Sequence, residues 1–293
     1  MRVAVDKFTV TSLPFALAVI AILAGITATL AIGSAPIILE EGVRFVLTSA
    51  WDPQSGSYGI LPALLGTLYV SALATLILSL LSLGFVAFTL EYLPARLGEA
   101  LQGLIFYAAA LPTVVYGLWG LDAVAPVVRN MASSLFQGGS PTGQSIMTGA
   151  VVLAVMNAPY ASLIIGEAYR SIPFTYREAL YSLGANGFER FAVSWGFVRG
   201  AFAGTILLSF GKCVGETTAV SLVVGNSFNA PLNPFEPGIT VSSLIVNYAT
   251  EAPLYGHMLS ALHGAALVML LMNAVFILAG MKLVGFVSRG GGK

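Results

Sequence analysis

The 293-residue sequence has few charges, one cysteine and two histidines. Charged residues make up 9% of the chain, against about 25% in a typical soluble domain, so most of its surface is not expected to face water. The formal net charge is zero, which gives no indication of binding to nucleic acid. The single cysteine, Cys213, excludes an internal disulfide. These shortages favour a membrane protein.

Motifs for common catalytic and nucleotide-binding sites are also missing. Gly211-Lys212 does not belong to a phosphate-binding loop, because Ile206 stands where the upstream Gly is required and Cys213 where Ser or Thr is required. No HExxH helix, Cys/His metal cluster or nucleophile elbow is present. His257 and His263 do not share a helical face and are interpreted as structural. We therefore expect neither an enzyme nor a metal or cofactor site.

Long uncharged runs predict an all-α membrane protein with six transmembrane helices. Hydrophobic residues make up 57% of the chain, and about 20 apolar residues cross a bilayer as a helix. The first run is too long for a signal-peptide core and is expected to be retained. The predicted spans are about 13–38, 62–91, 100–121, 145–166, 200–225 and 258–281. They define a cytoplasmic N-terminus over 1–12, a transmembrane domain over 13–287 and a C-terminal tail over 288–293.

The distribution of Lys and Arg predicts that both termini are cytoplasmic. With that orientation the far side holds only Arg44 and Arg129, and Lys212 lies within the membrane. The other cations all fall on the cytoplasmic side, where Lys and Arg are enriched in membrane proteins. They are Arg2, Lys7, Arg96, Arg170, Arg177, Arg190, Arg199, Lys282, Arg289 and Lys293.

The fifth predicted span contains two charges, Lys212 and Glu216. A charge at mid-membrane costs about 2.5–3.5 kcal/mol on insertion scales, so both need a protein bundle or a wet cavity around them. At a spacing of four residues they are expected to share one helical face. They are interpreted either as part of a path for a polar substrate or as a buried structural ion pair.

The cytoplasmic segment 171–198 holds two further predicted elements. A short helix runs over 178–184 and stops at Gly184, since Gly is the usual residue just past a helix. An amphipathic element follows over 187–198. The short helix is either an ordinary interfacial helix or a helix that inserts into the groove of a partner.

Glycine and proline mark other structural features. Gly196, Gly200, Gly204, Gly211 and Gly215 recur mostly at four-residue spacing, which is typical of a close helix–helix contact. The outer loops 40–60 and 226–256 are rich in Gly, Pro and Asn and predict ordered turns rather than helix. These loops are long enough to bind a soluble partner, but loops of this length also occur without a binding role.

Four stretches of the chain resemble the permease subunits of ABC importers. Glu178-Ala179-Leu180, followed by Gly184, is similar to the Glu-Ala-Ala loop of that family. The end of the motif differs from the family pattern, because residues 194–197 stand where Ile-x-Leu-Pro is expected. Residues 211–220 resemble the Gly-Arg-x-x-Gly-Glu-Thr-x-Ala-Val stretch of the phosphate-specific transport type, with Lys212 in place of Arg. Residues 51–68, 111–120 and 183–185 are similar to the same type, and Asn226 favours the PstC-like over the PstA-like permease.

The resemblance, which spans about residues 40–280, implies a type I ABC importer permease fold and half of a translocation pathway for phosphate. The resemblance implies that four residues couple the chain to the ATPase: Arg177, Glu178, Ala179 and Gly184. The residues expected along the substrate pathway are Ser209, Lys212, Glu216 and Thr217, with Thr205 one turn before Ser209.

The implied partners are a cytoplasmic ABC ATPase dimer that binds ATP and Mg, a PstA-like sister permease or a second copy, an extracytoplasmic phosphate-binding protein and membrane lipid. No nucleic acid is expected. Three other functions stay open on the sequence. The importer could carry molybdate, tungstate or sulfate, the chain could act alone as a channel or carrier, or it could be an intramembrane transferase. An intramembrane transferase would be expected to have several acidic residues or a group of histidines near one membrane interface, and this sequence has neither.

Overall fold

The structure is a computed structural model that describes residues 7–136 and 139–290. Parts of the predicted terminal segments 1–12 and 288–293 therefore lie outside the described residues. The residues that the structure describes form twelve α-helices, which are α1 Lys7–Glu41, α2 Arg44–Leu47, α3 Leu61–Ala87, α4 Ala95–Ala109, α5 Thr113–Trp119, α6 Ala125–Phe136, α7 Ile146–Arg170, α8 Phe174–Ser182, α9 Gly187–Val214, α10 Thr218–Val223, α11 Val241–Tyr248 and α12 Met258–Gly290. The predicted all-α class is confirmed for this part of the chain.

The same described ranges also contain three short helical turns and one β-hairpin. A π-turn, Phe88–Tyr92, extends α3, and a second, Gly120–Val124, joins α5 to α6. A 3₁₀ turn, Ala252–Leu254, precedes α12. Strands β1 (Trp51–Asp52) and β2 (Ser57–Tyr58) pair antiparallel, with Trp51 opposite Tyr58.

Five helices in the described residues are long and apolar enough to cross a bilayer. A pair of helices joined at a bend would be a sixth span if the pair is counted as one. The pair comprises Ala95–Ala109 and Thr113–Ser134, which meet at 97°. The predicted continuous helix over 100–121 is therefore wrong. Pro112 has no N–H to donate to the carbonyl of Ala108, and it disfavours helical backbone in the residue before it. The Tyr116 hydroxyl donates to that carbonyl instead, at 2.7 Å.

The fifth predicted span, 200–225, is displaced and interrupted. The helix α9 begins at Gly187, because Asn186 and Glu189 form a reciprocal capping box with bonds of 3.0 and 2.8 Å. The amphipathic element predicted over 187–198 is thus the beginning of the same helix. At the other end α9 stops at Val214, with Gly215 as its C-cap, and the short α10 follows.

The core of the bundle lies between α3, α7 and α9. The most apolar window of α7 is 72% buried, whereas that of α1 is not buried at all. Helix α7 packs along α3 and α9, while α1 packs against α12 at the periphery. The buried side chains Leu78, Leu153 and Ile165 belong to this core. A helix that is apolar all round and enclosed by its neighbours is expected at the centre of a bundle.

The two ends of the bundle differ. The end that carries the β-hairpin, here the hairpin end, has its own core, which includes Phe45, Tyr58 and Leu244. The Trp51 ring lies 5.1 Å from that of Tyr58 and 5.8 Å from that of Phe228, so the two long loops contact each other. The loop predicted as turns over 226–256 contains a helix, α11. The opposite end, here the α8 end, carries α8 and the first turns of α9.

Candidate functional site

The break between α9 and α10 is built from local hydrogen bonds. The Glu216 amide donates to the Cys213 carbonyl at 3.2 Å, which tightens the last turn of α9. The Glu216 carboxylate accepts from the Ala219 amide at 3.3 Å, and the Ser242 hydroxyl donates to the Glu216 carbonyl at 2.8 Å. Lys212 and Glu216 therefore lie on opposite sides of a helix break, and the expectation that they share one helical face is wrong.

Lys212 is exposed in this chain and contacts an aromatic ring. Its ammonium lies 4.8 Å from the centroid of the Tyr160 ring, and Tyr160, in the middle part of α7, is 38% exposed. A ring face attracts a cation without using the N–H donors of the ammonium. Within the described residues, no carboxylate lies at salt-bridge distance from Lys212. The structural ion pair with Glu216 is thus not formed, and the ammonium can donate to a ligand.

The remaining predicted pathway residues fall into two groups. Thr217 lies at the break as the N-cap of α10, and its hydroxyl donates to the Gly215 carbonyl at 3.4 Å. Ser209 is fully buried, and Thr205 is 2% exposed and donates to the Ala201 carbonyl at 2.7 Å. The break therefore brings together Lys212, Glu216 and Thr217, whereas Ser209 and Thr205 belong to buried faces of α9.

Helices α9 and α12 also approach each other closely near the break. A Cβ atom at Gly211 would lie 3.0 Å from Oδ1 of Asn273 and 3.5 Å from Cγ1 of Ile277. The glycine contact face predicted for this helix is confirmed at Gly211. It does not extend to Gly196, because a Cβ there would have no neighbour within 4 Å.

Gly184 ends α8 through backbone geometry. Its φ of +71° is in the left-handed region, where residues with a Cβ are disfavoured. The Gly184 amide donates to the Tyr181 carbonyl at 3.0 Å, and the Ala185 amide to the Leu180 carbonyl at 3.1 Å. These two bonds form a Schellman motif, which ends a helix at a left-handed residue. The predicted helix stop at Gly184 is confirmed, and the helix begins earlier than predicted, at Phe174.

The predicted coupling residues of α8 are placed differently from one another. Glu178 and Ala179 are exposed, whereas Arg177 is partly buried and donates to the Tyr169 carbonyl at 2.6 Å. None of the nine residues of α8, all of which the structure describes, is buried. The outer surface of α8 is therefore free in this chain, and Arg177 faces the bundle.

Three residues near these sites, Tyr160, Asn273 and Glu91, are not identified by the sequence patterns described above. Tyr160 and Asn273 lie in apolar runs of the sequence, where a phenol and an amide are the signal that could have pointed to them. Glu91, at the end of the second predicted span, forms an ion pair of 2.6 Å with Arg190. The two residues are 99 positions apart, so no spacing in the sequence pairs them.

Comparison with known proteins finds several relatives and no matching family model. The chain is 33% identical to the "Probable phosphate transport system permease protein PstC" of Methanocaldococcus jannaschii, over 94% of this chain and 92% of the relative. It is 32% identical to the "Phosphate transport system permease protein PstC" of Haemophilus influenzae, over 84% and 82%. It is 30% identical to the "Probable ABC transporter permease protein YqgH" of Bacillus subtilis, over 90% and 85%.

A solved structure has a similar fold. It is the crystal structure of a bacterial ABC transporter involved in the import of the acidic polysaccharide alginate. One of its chains aligns with a TM-score of 0.54 and 14% identity, over 98% of both chains. At this identity the similarity concerns the fold alone.

Proposed function

Because this chain belongs to the family of PstC permease proteins of phosphate transport systems, we propose that it is a permease subunit of an ATP-driven importer of inorganic phosphate. It would form half of the translocation pathway, together with a PstA-like sister permease or a second copy. ATP and Mg would be bound by a separate ABC ATPase dimer, and a phosphate-binding protein would deliver the substrate.

The position of Lys212 is the observation that carries this proposal. An exposed ammonium in a membrane helix, without a carboxylate partner among the described residues, is suited to meet an anion. Lys binds phosphate as a point charge, whereas Arg binds through a planar fork. The nearby Glu216 cannot attract an anion, but its carboxylate can accept a hydrogen bond from a P–OH group of hydrogen phosphate. A site with both charges would bind weakly, which favours passage over capture.

The two ends of the bundle would contact the ATPase and the phosphate-binding protein. We place the α8 end and both termini in the cytoplasm, where the excess of Lys and Arg lies. The exposed surface of α8, with Glu178 and Ala179, would then fit a cleft of the ATPase, as a short helix fits a groove. The hairpin end, with its packed loops, would face the phosphate-binding protein. Closing of the ATPase dimer would move the helices and give alternating access.

The test is phosphate uptake by the reconstituted complex with substitutions at Lys212. We expect Lys212→Ala and Lys212→Met to abolish uptake while the complex still assembles, and Lys212→Arg to retain part of it because the charge remains. Normal uptake by Lys212→Met would contradict the pathway role.

The same vesicles test the alternatives. Competition by molybdate, tungstate or sulfate tests the other tetrahedral oxyanions. Uptake that continues without ATP or without the ATPase would instead indicate a carrier.

A further inference from the structure

A buried carboxylate lies beneath α8, at the end of α3. Glu91 belongs to the π-turn Phe88–Tyr92, and its side chain is 6% exposed. One carboxylate oxygen accepts from Nε of Arg190 at 2.6 Å, and the other accepts from the Tyr169 hydroxyl. Glu91 thus joins α3 to the first turns of α9 and to the last turn of α7.

Arg190 connects this carboxylate to the C-terminal part of α8. Its Nη1 donates to the Ala185 carbonyl at 2.8 Å, and its Nη2 donates to the Glu91 carbonyl at 3.0 Å. The guanidinium also lies 4.6 Å from the centroid of the Tyr181 ring. Because Tyr181 is in α8 and Ala185 follows it directly, one guanidinium contacts α8, its exit loop and α3.

Tyr169 connects the same carboxylate to the N-terminal part of α8. Its carbonyl accepts from Nη2 of Arg177 at 2.6 Å, and the Arg177 guanidinium lies 5.2 Å from its ring centroid. On the other side the Tyr169 ring stacks on Phe191 of α9 at 5.9 Å. Both parts of α8 are therefore linked to Glu91, each through one intermediate side chain.

These contacts hold α8 against the bundle together with limited apolar packing, in which the Tyr176 ring of α8 lies 5.1 Å from the Phe197 ring of α9. A cavity of about 110 Å³ separates part of α8 from α9 and is lined by Ile172, Leu180, Val193 and Phe197, among others. None of the nine described residues of α8 is buried. A helix attached by side-chain bonds over a cavity can be displaced as a unit. Its displacement then acts on the groups to which it is bonded.

We propose that Glu91 is the positioning residue that transmits movement of α8 to the membrane helices. The inference rests on the proposed function, since it takes α8 as the helix that contacts the ATPase. Glu91 does not touch substrate or nucleotide; it acts through Arg190 and Tyr169. When α8 moves, the two side chains pull on one carboxylate, and α3, α7 and α9 respond together.

The test compares Glu91→Gln and Glu91→Ala with wild type in the reconstituted complex. The measured quantity is the number of ATP molecules hydrolysed per phosphate taken up. Coupling between sites corresponds to effects of about 5- to 150-fold, so we expect this ratio to rise at least about fivefold in Glu91→Ala and less in Glu91→Gln. The double variant Glu91→Arg with Arg190→Glu restores an ion pair and should recover part of the coupling.

The matched control is Glu167→Gln at the same end of the bundle. Glu167 also pairs with an arginine, Arg170, at 3.0 Å, but its side chain is 72% exposed. An exposed pair contributes little, so this variant should keep the ratio of wild type. Hydrogen exchange of residues 174–186 in the purified chain supplies a readout that is independent of the ATPase, and Glu91→Gln should make that exchange faster.

The outcomes separate the inference from the proposed function. ATP-driven uptake by wild type with an unchanged ratio in Glu91→Ala would overturn the inference alone. Unchanged exchange of α8 in Glu91→Gln would overturn it as well. Absence of ATP-driven uptake in wild type would overturn the proposed function.

Discussion

Replacement of Gly66 by alanine tests how closely α3 approaches the loop that covers the hairpin end. A Cβ atom at Gly66 would lie 2.0 Å from the carbonyl oxygen of Ile239 and 3.1 Å from its carbonyl carbon. Ile239 is 1% exposed and its neighbours are fixed. The Gly238 amide donates to the Val224 carbonyl at 3.0 Å, and the Val241 amide donates to the Thr67 hydroxyl at 2.9 Å. The loop therefore cannot yield without losing hydrogen bonds.

The expected loss of stability combines two contributions. Forcing an extra methyl group into a packed region costs about 1–3 kcal/mol. Weakening the buried bond between Val241 and Thr67 adds about 1 kcal/mol. We expect Gly66→Ala to lower the free energy of unfolding by about 2–4 kcal/mol. For a chain of this size, that corresponds to a fall of about 3–7 °C in Tm.

The single cysteine provides the assay. Cys213 is 2% exposed and lies in the core between α7 and α9. A maleimide dye that fluoresces on reaction with a thiol will label it only after these helices separate. Heating the detergent-purified protein with the dye therefore measures Tm without any added label site.

Gly84→Ala is the matched control because it lies in the same helix. A Cβ at Gly84 has no neighbour within 4 Å, and Ala is favoured over Gly inside a helix by about 0.5–1 kcal/mol. We expect its Tm to equal or exceed that of wild type. An unchanged Tm in Gly66→Ala, or an equal fall in both variants, would refute the reasoning.

Substitutions at three further positions test the site and the helix ends. Gly184→Val should lower the coupling of ATP hydrolysis to uptake, because left-handed backbone is unfavourable for a residue with a Cβ by about 1–2 kcal/mol. Gly184→Asn should have a smaller effect, since Asn tolerates this backbone better. Equal numbers of ATP molecules hydrolysed per phosphate in the two variants would contradict this reasoning. Asn186→Ala removes the cap of α9 and should destabilise the chain by about 0.5–2 kcal/mol, measured by the same thiol assay, while Asn186→Ser should keep most of the stability. Tyr160→Leu removes the ring beneath Lys212 and should reduce phosphate uptake, whereas Tyr160→Phe keeps the ring and should not; uptake that falls equally in both would point to the hydroxyl instead.

The sequence predicts the class of the fold because apolar runs of membrane length leave little choice of structure. It predicts helix ends less well where two signals compete. Pro112 interrupts a run that is long enough for one span, and the hydropathy of the run conceals the bend of 97°. The capping box at Asn186 and Glu189 is visible in the sequence, yet the charges of the following turns suggested an element separate from the membrane helix.

The sequence identifies some residues of the candidate site but not how they are arranged. Lys212 and Glu216 stand out because charges are rare in apolar runs, but their relation depends on the helix break at Gly215. The pairing of Glu91 with Arg190 depends on how α3 packs against α9. Spacing along one helix can be read from a sequence, whereas contacts between distant elements require the fold.

The early start of α9 gives the proposed mechanism a continuous mechanical element. Arg190 lies in the first turns of α9 and Lys212 in its last turn, within one helix that is unbroken from Gly187 to Val214. At about 1.5 Å per residue the two side chains are about 33 Å apart along the helix axis. A rigid helix of that length carries a tilt at one end to the other, because its backbone hydrogen bonds leave few soft torsions. We therefore expect a change at Glu91 to alter the position of Lys212 relative to Tyr160, although no side chain connects them directly.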